Sequence, residues 1–124
     1  MDLEIQQLKK ASSLAKAEVE LENFLLETFN ACPYPSWIKI LGEYMLVNSA
    51  YVNAGLTRVT GKLIKEYQLS KRDIEVLELK RPVYYENIRT TTLEGKTHYW
   101  TGWKIPLIYR GEVKAIAGFA EKWT

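Results

Sequence analysis

The sequence predicts an α+β fold, in which an amphipathic helix precedes an antiparallel sheet of five strands with short helices on one face. Three observations lead to this prediction. Residues 2–30 contain neither proline nor glycine and are rich in residues that favour helices. Glycines then divide the middle of the chain into short segments. Beyond Pro82, apolar and polar residues alternate with a period of two, which is typical of half-buried strands.

The predicted N-terminal helix carries an apolar stripe, because apolar residues recur along it at spacings of three and four. Residues 21–29 are its most apolar part, and we expect them to dock on the core of the domain. Residues 1–22 are expected either to cover the sheet or to pair with a second copy of the chain. Ser12 and Glu22 interrupt a strict heptad, so the pattern favours a short dimer contact over a long coiled coil. The dimer contacts expected on this stripe are Ile5, Leu8, Ala15 and Val19.

The segment Cys32-Pro33-Tyr34-Pro35 ends the helix, because proline lacks a backbone donor and favours an extended residue before it. Two β-prone runs follow, at residues 36–41 and 44–47, on either side of Gly42-Glu43. These runs predict a first β-hairpin.

Polar residues then mark the starts of helices. Asn48 has a side-chain acceptor in the position to cap a short helix over residues 49–54. Residues 57–79 are predicted to form short, irregular helices, with a break at Thr60-Gly61 and an N-cap at Ser70.

The last third of the chain predicts three antiparallel strands. They are expected at residues 83–92, 97–109 and 112–120, with turns at Glu94-Gly95 and Arg110-Gly111. Together with the first hairpin they complete a five-stranded sheet.

Composition and charge exclude several classes of protein. A chain of 124 residues has room for one domain, and 47% hydrophobic with 26% charged residues is a globular composition. The net charge of +2 is too small to indicate a nucleic-acid or membrane partner, and we expect neither. Residues 1–30 hold three lysines and six acidic residues, a net charge of −3 that leaves +5 for the rest. No membrane-spanning run or signal peptide is present, which predicts a cytoplasmic protein without membrane contact.

Several short motifs resemble those of the PAS domain family over residues 23–124. Residues 25–33 resemble the family's entry helix, and Leu46-Val47-Asn48-Ser49-Ala50-Tyr51 is similar to its strand-to-helix step. Trp103-Lys104-Ile105-Pro106-Leu107, Gly111-Glu112-Val113 and Ile116-Ala117-Gly118 resemble its last hairpin. Each motif alone has a routine structural explanation, and their joint order carries the resemblance.

The resemblance implies a PAS-like sheet whose helices enclose a pocket, used for small-molecule sensing and for dimerisation. Residues 121–124 stand in place of the family's usual Asp-Ile-Thr junction, and we expect no attached effector. Three alternatives stay open: a partner in trans, self-association, or a fragment of a longer protein. We therefore expect a stand-alone signalling module that binds a small molecule or a protein partner, with an effector in trans or a homodimer as its output.

The resemblance also bears on cofactors and catalysis. Flavin-type members use a cysteine after the first hairpin, whereas Cys32 precedes it; haem-type members use a histidine from the helical segment, and residues 48–80 contain none. One cysteine and one histidine, His98, build no zinc cluster. Glu75 and Glu78 lie one helical turn apart beside basic residues, typical of a solvated surface. We therefore predict no cofactor, no metal and no catalytic residue.

Aromatic residues concentrate on the predicted strands and the helices facing them, which suits a ligand pocket or a dimer surface. Since alternate strand residues point to opposite faces, one face is expected to form the core or pocket and the other an apolar patch. The expected pocket residues are Trp37, Tyr51, Leu56, Tyr67, Ile74, Tyr85, Trp103 and Phe119.

Three other functions remain open at this point. One is a structural adaptor or homodimerisation domain without a ligand. Another is a nucleic-acid-binding sheet, with aromatics beside Arg89, Lys96 and Lys104. The last is a small cone-shaped α+β enzyme whose turnover would depend on His98 or on a buried acid.

Overall fold

The computed structural model describes residues 2–57 and 63–124, and within the first helix it describes side chains at residues 5 and 6 and from residue 16 onward. The predicted break at Thr60-Gly61 lies outside this part of the chain. The helices are α1 (Asp2–Ala31), α2 (Ser49–Asn53) and α3 (Lys71–Leu79). The strands are β1 (Ser36–Ile40), β2 (Met45–Val47), β3 (Leu63–Ile64), β4 (Val83–Thr91), β5 (Thr97–Tyr109) and β6 (Glu112–Trp123).

The described strands form one sheet in the order β3-β2-β1-β6-β5-β4, and every neighbouring pair is antiparallel. The α+β fold is therefore confirmed, with six strands in place of the five predicted. The additional strand, Leu63–Ile64, lies in the segment predicted to be helical. Its two apolar, partly β-branched residues pair with β2 instead, because a sheet edge offers them backbone partners.

Two side-chain caps set the starts of the short helices. The Asn48 side chain accepts a hydrogen bond from the backbone N–H of Tyr51 and caps α2, as predicted. Ser70 caps α3 as predicted and forms a capping box with Asp73, in which each side chain accepts from the backbone of the other residue. Both caps lie beside the sheet face that α2 and α3 cover.

The two faces of the sheet differ. The inner face, towards α2 and α3, carries the core, and Ile116, Val47 and Val76 are buried there without measurable exposure. The outer face carries the alternate residues of each strand. One of its rows runs across Tyr84, Trp103, Phe119 and Ser36, and the next across Ile105, Ala117, Ile38, Leu46 and Leu63.

Helix α1 is continuous over 30 residues and contacts α2. The expectation that residues 21–29 dock on the core is wrong, because Phe24 is 63% exposed and Leu21, Leu25 and Leu26 are similarly open. Nothing else in the described part of a single chain covers this stripe. Of the expected dimer contacts, Ile5 and Val19 are about half exposed, whereas the side chains of Leu8 and Ala15 lie outside the described residues.

Among the described helices, none combines the length and apolar character needed to cross a bilayer.

Candidate ligand cavity

A cavity of about 160 Å³ lies between the inner face of the sheet, α2 with Leu56 just beyond it, and Ser70 at the start of α3. Apolar and aromatic side chains form most of its wall, and a small polar group lies at one side. Its lining consists of Trp37, Lys39, Met45, Tyr51, Leu56, Ser70, Thr90, Trp100, Lys104 and Trp123.

The indole ring of Trp37 lies flat against the backbone of β6. Gly118 is the register partner of Trp37, and a Cβ atom at position 118 would come within 2.4 Å of the ring. The ring meets Trp100 edge to face at a centroid distance of 5.4 Å and Tyr51 at 6.0 Å. These geometries are favourable for aromatic pairs, so Gly118 allows the aromatic wall to form.

The polar side of the cavity is a cluster of two lysines around one carboxylate. Lys39 Nζ lies 2.6 Å from Asp73 Oδ2, and Lys104 Nζ lies 2.6 Å from Asp73 Oδ1. Asp73 is fully buried, and only 13% and 6% of the side chains of Lys39 and Lys104 are exposed. The cluster joins α3 to two strands of the inner face, and it holds two ammonium groups for one carboxylate.

The hydrogen bonds of the cluster account for its protonation. Burial raises the pKa of Asp73, but hydrogen bonds from Lys104, Lys39 and the Ser70 backbone outweigh burial and lower that pKa to about 2. Burial lowers the pKa of Lys104, and its contact with Asp73 opposes this shift. Asp73 is therefore ionised at neutral pH, and the side chains of Lys39 and Lys104 both contact it beside the cavity.

Asn48 joins the wall of the cavity to the end of α1. Its Oδ1 accepts hydrogen bonds from the backbone N–H groups of Ser36, at 2.9 Å, and Tyr51, at 3.0 Å. Its Nδ2 donates to the carbonyl oxygens of Tyr34, at 2.8 Å, and Cys32, at 3.3 Å. Asn48 is fully buried, so a single side chain fixes the exit of α1 to the first turn of α2, which carries Tyr51.

The structure brings together only part of the expected pocket. Trp37, Tyr51 and Leu56 line the cavity. Tyr85 is buried in the adjoining core, where its hydroxyl donates to the carbonyl oxygen of Arg72 at 3.1 Å. Tyr67 lines a separate cleft beside Leu41 and donates to the carbonyl oxygen of Ile40.

The other expected pocket residues lie elsewhere. Ile74 points away from the sheet on α3 and is 47% exposed. Trp103 and Phe119 are register partners on the outer face, opposite the cavity. Trp103 is three residues from Trp100, an odd spacing that sends the two side chains of a strand to opposite faces.

Sequence reasoning missed the lysines and Asp73 as site residues. The sequence places Lys104 in a hairpin motif and on a basic, aromatic sheet surface, but its side chain is buried on the inner face beside Asp73. The same reasoning placed His98 correctly on a strand, where its Nδ1 lies 2.6 Å from the Thr124 carbonyl oxygen and its ring stacks on Trp123. The sequence contained a signal for the lysines, because both stand at even spacings from tryptophans of the inner face.

The outer face forms a second surface of interest. Trp103 packs against Tyr84 at a centroid distance of 5.2 Å and remains 37% exposed, and Leu107 is 41% exposed. Apolar residues at half-exposed positions continue across the central strands. This surface and the apolar stripe of α1 are both uncovered in the described part of one chain.

Comparisons with known proteins agree with the fold. The PAS domain of BvgS from Bordetella pertussis superposes with a TM-score of 0.56 and 22% sequence identity, and the match covers 84% of each chain. This likeness shows a PAS-like fold. No known family profile matches the sequence, and no curated protein matches it.

Proposed function

We propose that this chain is a sensory or signalling module in which a small molecule in the inner cavity changes the packing of α2 and, through Asn48, the position of α1. The observation that carries the proposal is the set of hydrogen bonds from Asn48 to both sides of this junction. The PAS-like fold supports it, since the sequence resemblance implies the same class of function.

The cavity suits a small ligand. Cavities of roughly 150 Å³ with apolar walls accept a molecule the size of benzene. A volume of about 160 Å³ therefore matches one ring or a short chain. It is too small for a haem or a flavin, each of which has several fused or linked rings. A small metabolite is the better candidate, and we propose that the domain works without a cofactor.

Signalling requires that the ligand bind two packings of the protein with different affinities. Tyr51 belongs to the cavity wall, and its backbone N–H is bonded to Asn48. A ligand that displaces the Tyr51 ring would alter the first turn of α2 and the hydrogen bonds that hold Cys32 and Tyr34. The exit angle of α1 would follow, because α1 ends at the residue before Cys32.

The output we propose is a homodimer in which α1 of one copy lies on the outer face of the other. The exposed apolar residues of α1, including Phe24 and Leu25, match the apolar rows of that face in character. Charge supports this choice of partner, because residues 1–30 carry a net charge of −3 and exposed Arg89 and Lys122 lie on the rim of the outer face. A second copy of the chain would cover both the apolar stripe of α1 and the outer face, because each copy supplies both surfaces. This favours a homodimer over a complex with an unrelated protein.

Native mass spectrometry of the purified chain tests this function. We expect a dimer that carries additional small-molecule mass, and a denaturing spectrum of the same sample with the bare chain mass. A dimer without added mass would favour the adaptor function, in which the cavity is part of a static core. A bare monomer would contradict the proposed output.

A further inference from the structure

The cavity lining is unbalanced in charge. Lys39 and Lys104 both line it, and among the described lining residues there is no carboxylate. Asp73 lies behind the lysines and neutralises one of the two positive charges. An ion pair needs only one lysine, so the second lysine adds a positive charge at a buried site, where Lys104 Nζ has the Tyr85 ring at 6.0 Å but no second carboxylate among the described residues. Burying a charge without a counter-charge is costly.

The hydrogen bonds of the two lysines do not use all of their N–H donors. Lys39 Nζ donates to the Gln68 carbonyl oxygen at 3.0 Å and to Asp73. Lys104 Nζ donates to Ser70 Oγ at 3.1 Å and to Asp73. Since an ammonium group has three donors, each lysine keeps one N–H group that these described partners do not use.

We infer that the cavity binds a small carboxylate with an apolar body about the size of one ring, held with its carboxylate at Lys39 and Lys104 and its body among Trp37, Tyr51 and Trp100. This inference rests on the proposed function and names its ligand class. With the ligand bound, two carboxylates, its own and that of Asp73, face the two lysine side chains. The apolar part of the ligand replaces solvent against the aromatic wall of the cavity. Charge-assisted hydrogen bonds of this kind are stronger than neutral ones and give a preference for the anion over a neutral molecule of equal shape.

Benzoate is the probe that matches this description, and benzyl alcohol is its neutral counterpart with the same ring. The chain contains four tryptophans, three of which line the cavity, while Trp103 lies on the outer face. Their indole N–H signals in a ¹H–¹⁵N correlation spectrum, assigned with single tryptophan-to-phenylalanine variants, report binding and its location together. We expect benzoate to shift the signals of Trp37, Trp100 and Trp123 and to leave that of Trp103 in place.

The Lys39→Met variant tests the charge directly, because it leaves a balanced Lys104–Asp73 pair. We expect this variant to bind benzoate on the order of tenfold more weakly than the unmodified protein does. Its affinity for benzyl alcohol should change by less than about twofold. Lys114→Met is the matched control, since Lys114 is 56% exposed and pairs with Glu112 away from the cavity. It should leave both affinities unchanged.

Three outcomes would overturn the inference. If benzyl alcohol binds the unmodified protein as tightly as benzoate, charge does not select the ligand, and the proposed cavity function stands without it. If neither probe shifts the three cavity tryptophans, the cavity function fails as well. If Lys39→Met and Lys114→Met lower the affinity for benzoate equally, the effect comes from the net charge of the protein and not from a contact in the cavity. The comparison of the two probes on the unmodified chain decides the matter even if a lysine variant does not fold.

Discussion

The side-chain nitrogen of Asn48 donates a 2.8 Å hydrogen bond to the carbonyl oxygen of Tyr34, which lies in the turn between α1 and β1. The oxygen of the same side chain accepts from Tyr51 in the cavity wall. No other amino acid offers two acceptor sites and two donors in so short a side chain. Asn48 is thus a cap, a loop anchor and the physical link between cavity and helix.

Replacing Asn48 by alanine should remove the cap and leave the buried backbone N–H of Ser36 without its partner. We expect Asn48→Ala to lower the free energy of unfolding by about 3 kcal/mol. Urea denaturation followed by circular dichroism measures this change. Asn53→Ala, at an exposed position of the same helix, is the control and should change it by less than about 0.5 kcal/mol. Equal effects of the two variants would contradict the role assigned to Asn48.

Gly118 should be intolerant of even one methyl group, because the new Cβ atom would lie 2.4 Å from the Trp37 ring. We expect Gly118→Ala to displace the ring and to destabilise the protein by about 2 kcal/mol. In a Trp37→Leu background the same substitution should cost much less, since the flat contact is then absent. Thermal denaturation of the four proteins in this double-mutant cycle gives the coupling energy. A coupling energy near zero would show that the contact does not determine the cost.

Asp73 should make the free energy of unfolding depend on pH in the acidic range. Its pKa is about 2 in the folded protein and 3.8 as an ordinary value, so the unfolded chain binds more protons between these pH values. Asp73 therefore stabilises the folded protein above about pH 4, and this stabilisation is lost as the pH falls towards 2. The loss lowers the free energy of unfolding by about 2 kcal/mol. Urea denaturation between pH 5 and pH 2 measures the slope.

The Asp73→Asn variant should lack this part of the slope. Glu94→Gln is the control, because Glu94 is 78% exposed and its contact with Lys96 is long, at 3.8 Å. It should retain the slope of the unmodified protein. An unchanged slope in Asp73→Asn would assign the acid sensitivity to other carboxylates.

A charge on the outer face should prevent self-association. We expect Leu107→Lys to convert a dimer to a monomer in size-exclusion chromatography with light scattering, because a lysine would be buried against the apolar stripe of α1. Ile74→Lys is the control, because Ile74 lies on α3 away from this face and is 47% exposed, close to the 41% of Leu107. It should remain dimeric. If both variants dimerise as well as the unmodified chain, the outer face is not the interface.

The sequence predicted the fold well wherever local chemistry decides it. Asn48 and Ser70 were recognised as caps because short polar side chains before a helix have that use almost regardless of context. The last three strands were recognised from their period of two. Leu63–Ile64 was not, because a two-residue strand has no period and owes its existence to the neighbouring edge of β2.

The candidate site was less predictable, since it depends on which residues share a face. Trp37 and Lys39 share one by their even spacing, as do Trp100 and Lys104, and this rule would have found both lysines. The same rule separates Trp103 from Trp100. The contact with Asp73 had no such signal, because it depends on how α3 docks against the sheet.

The most direct test of the account is whether occupation of the cavity changes self-association. Sedimentation equilibrium of the unmodified chain, with no benzoate and with saturating benzoate, measures the dimer dissociation constant in each state. Because binding linkage is reciprocal, the account predicts a dissociation constant that changes at least fivefold, with a matching difference in benzoate affinity between monomer and dimer. A dissociation constant that is the same at both benzoate concentrations would contradict the coupling of cavity to α1.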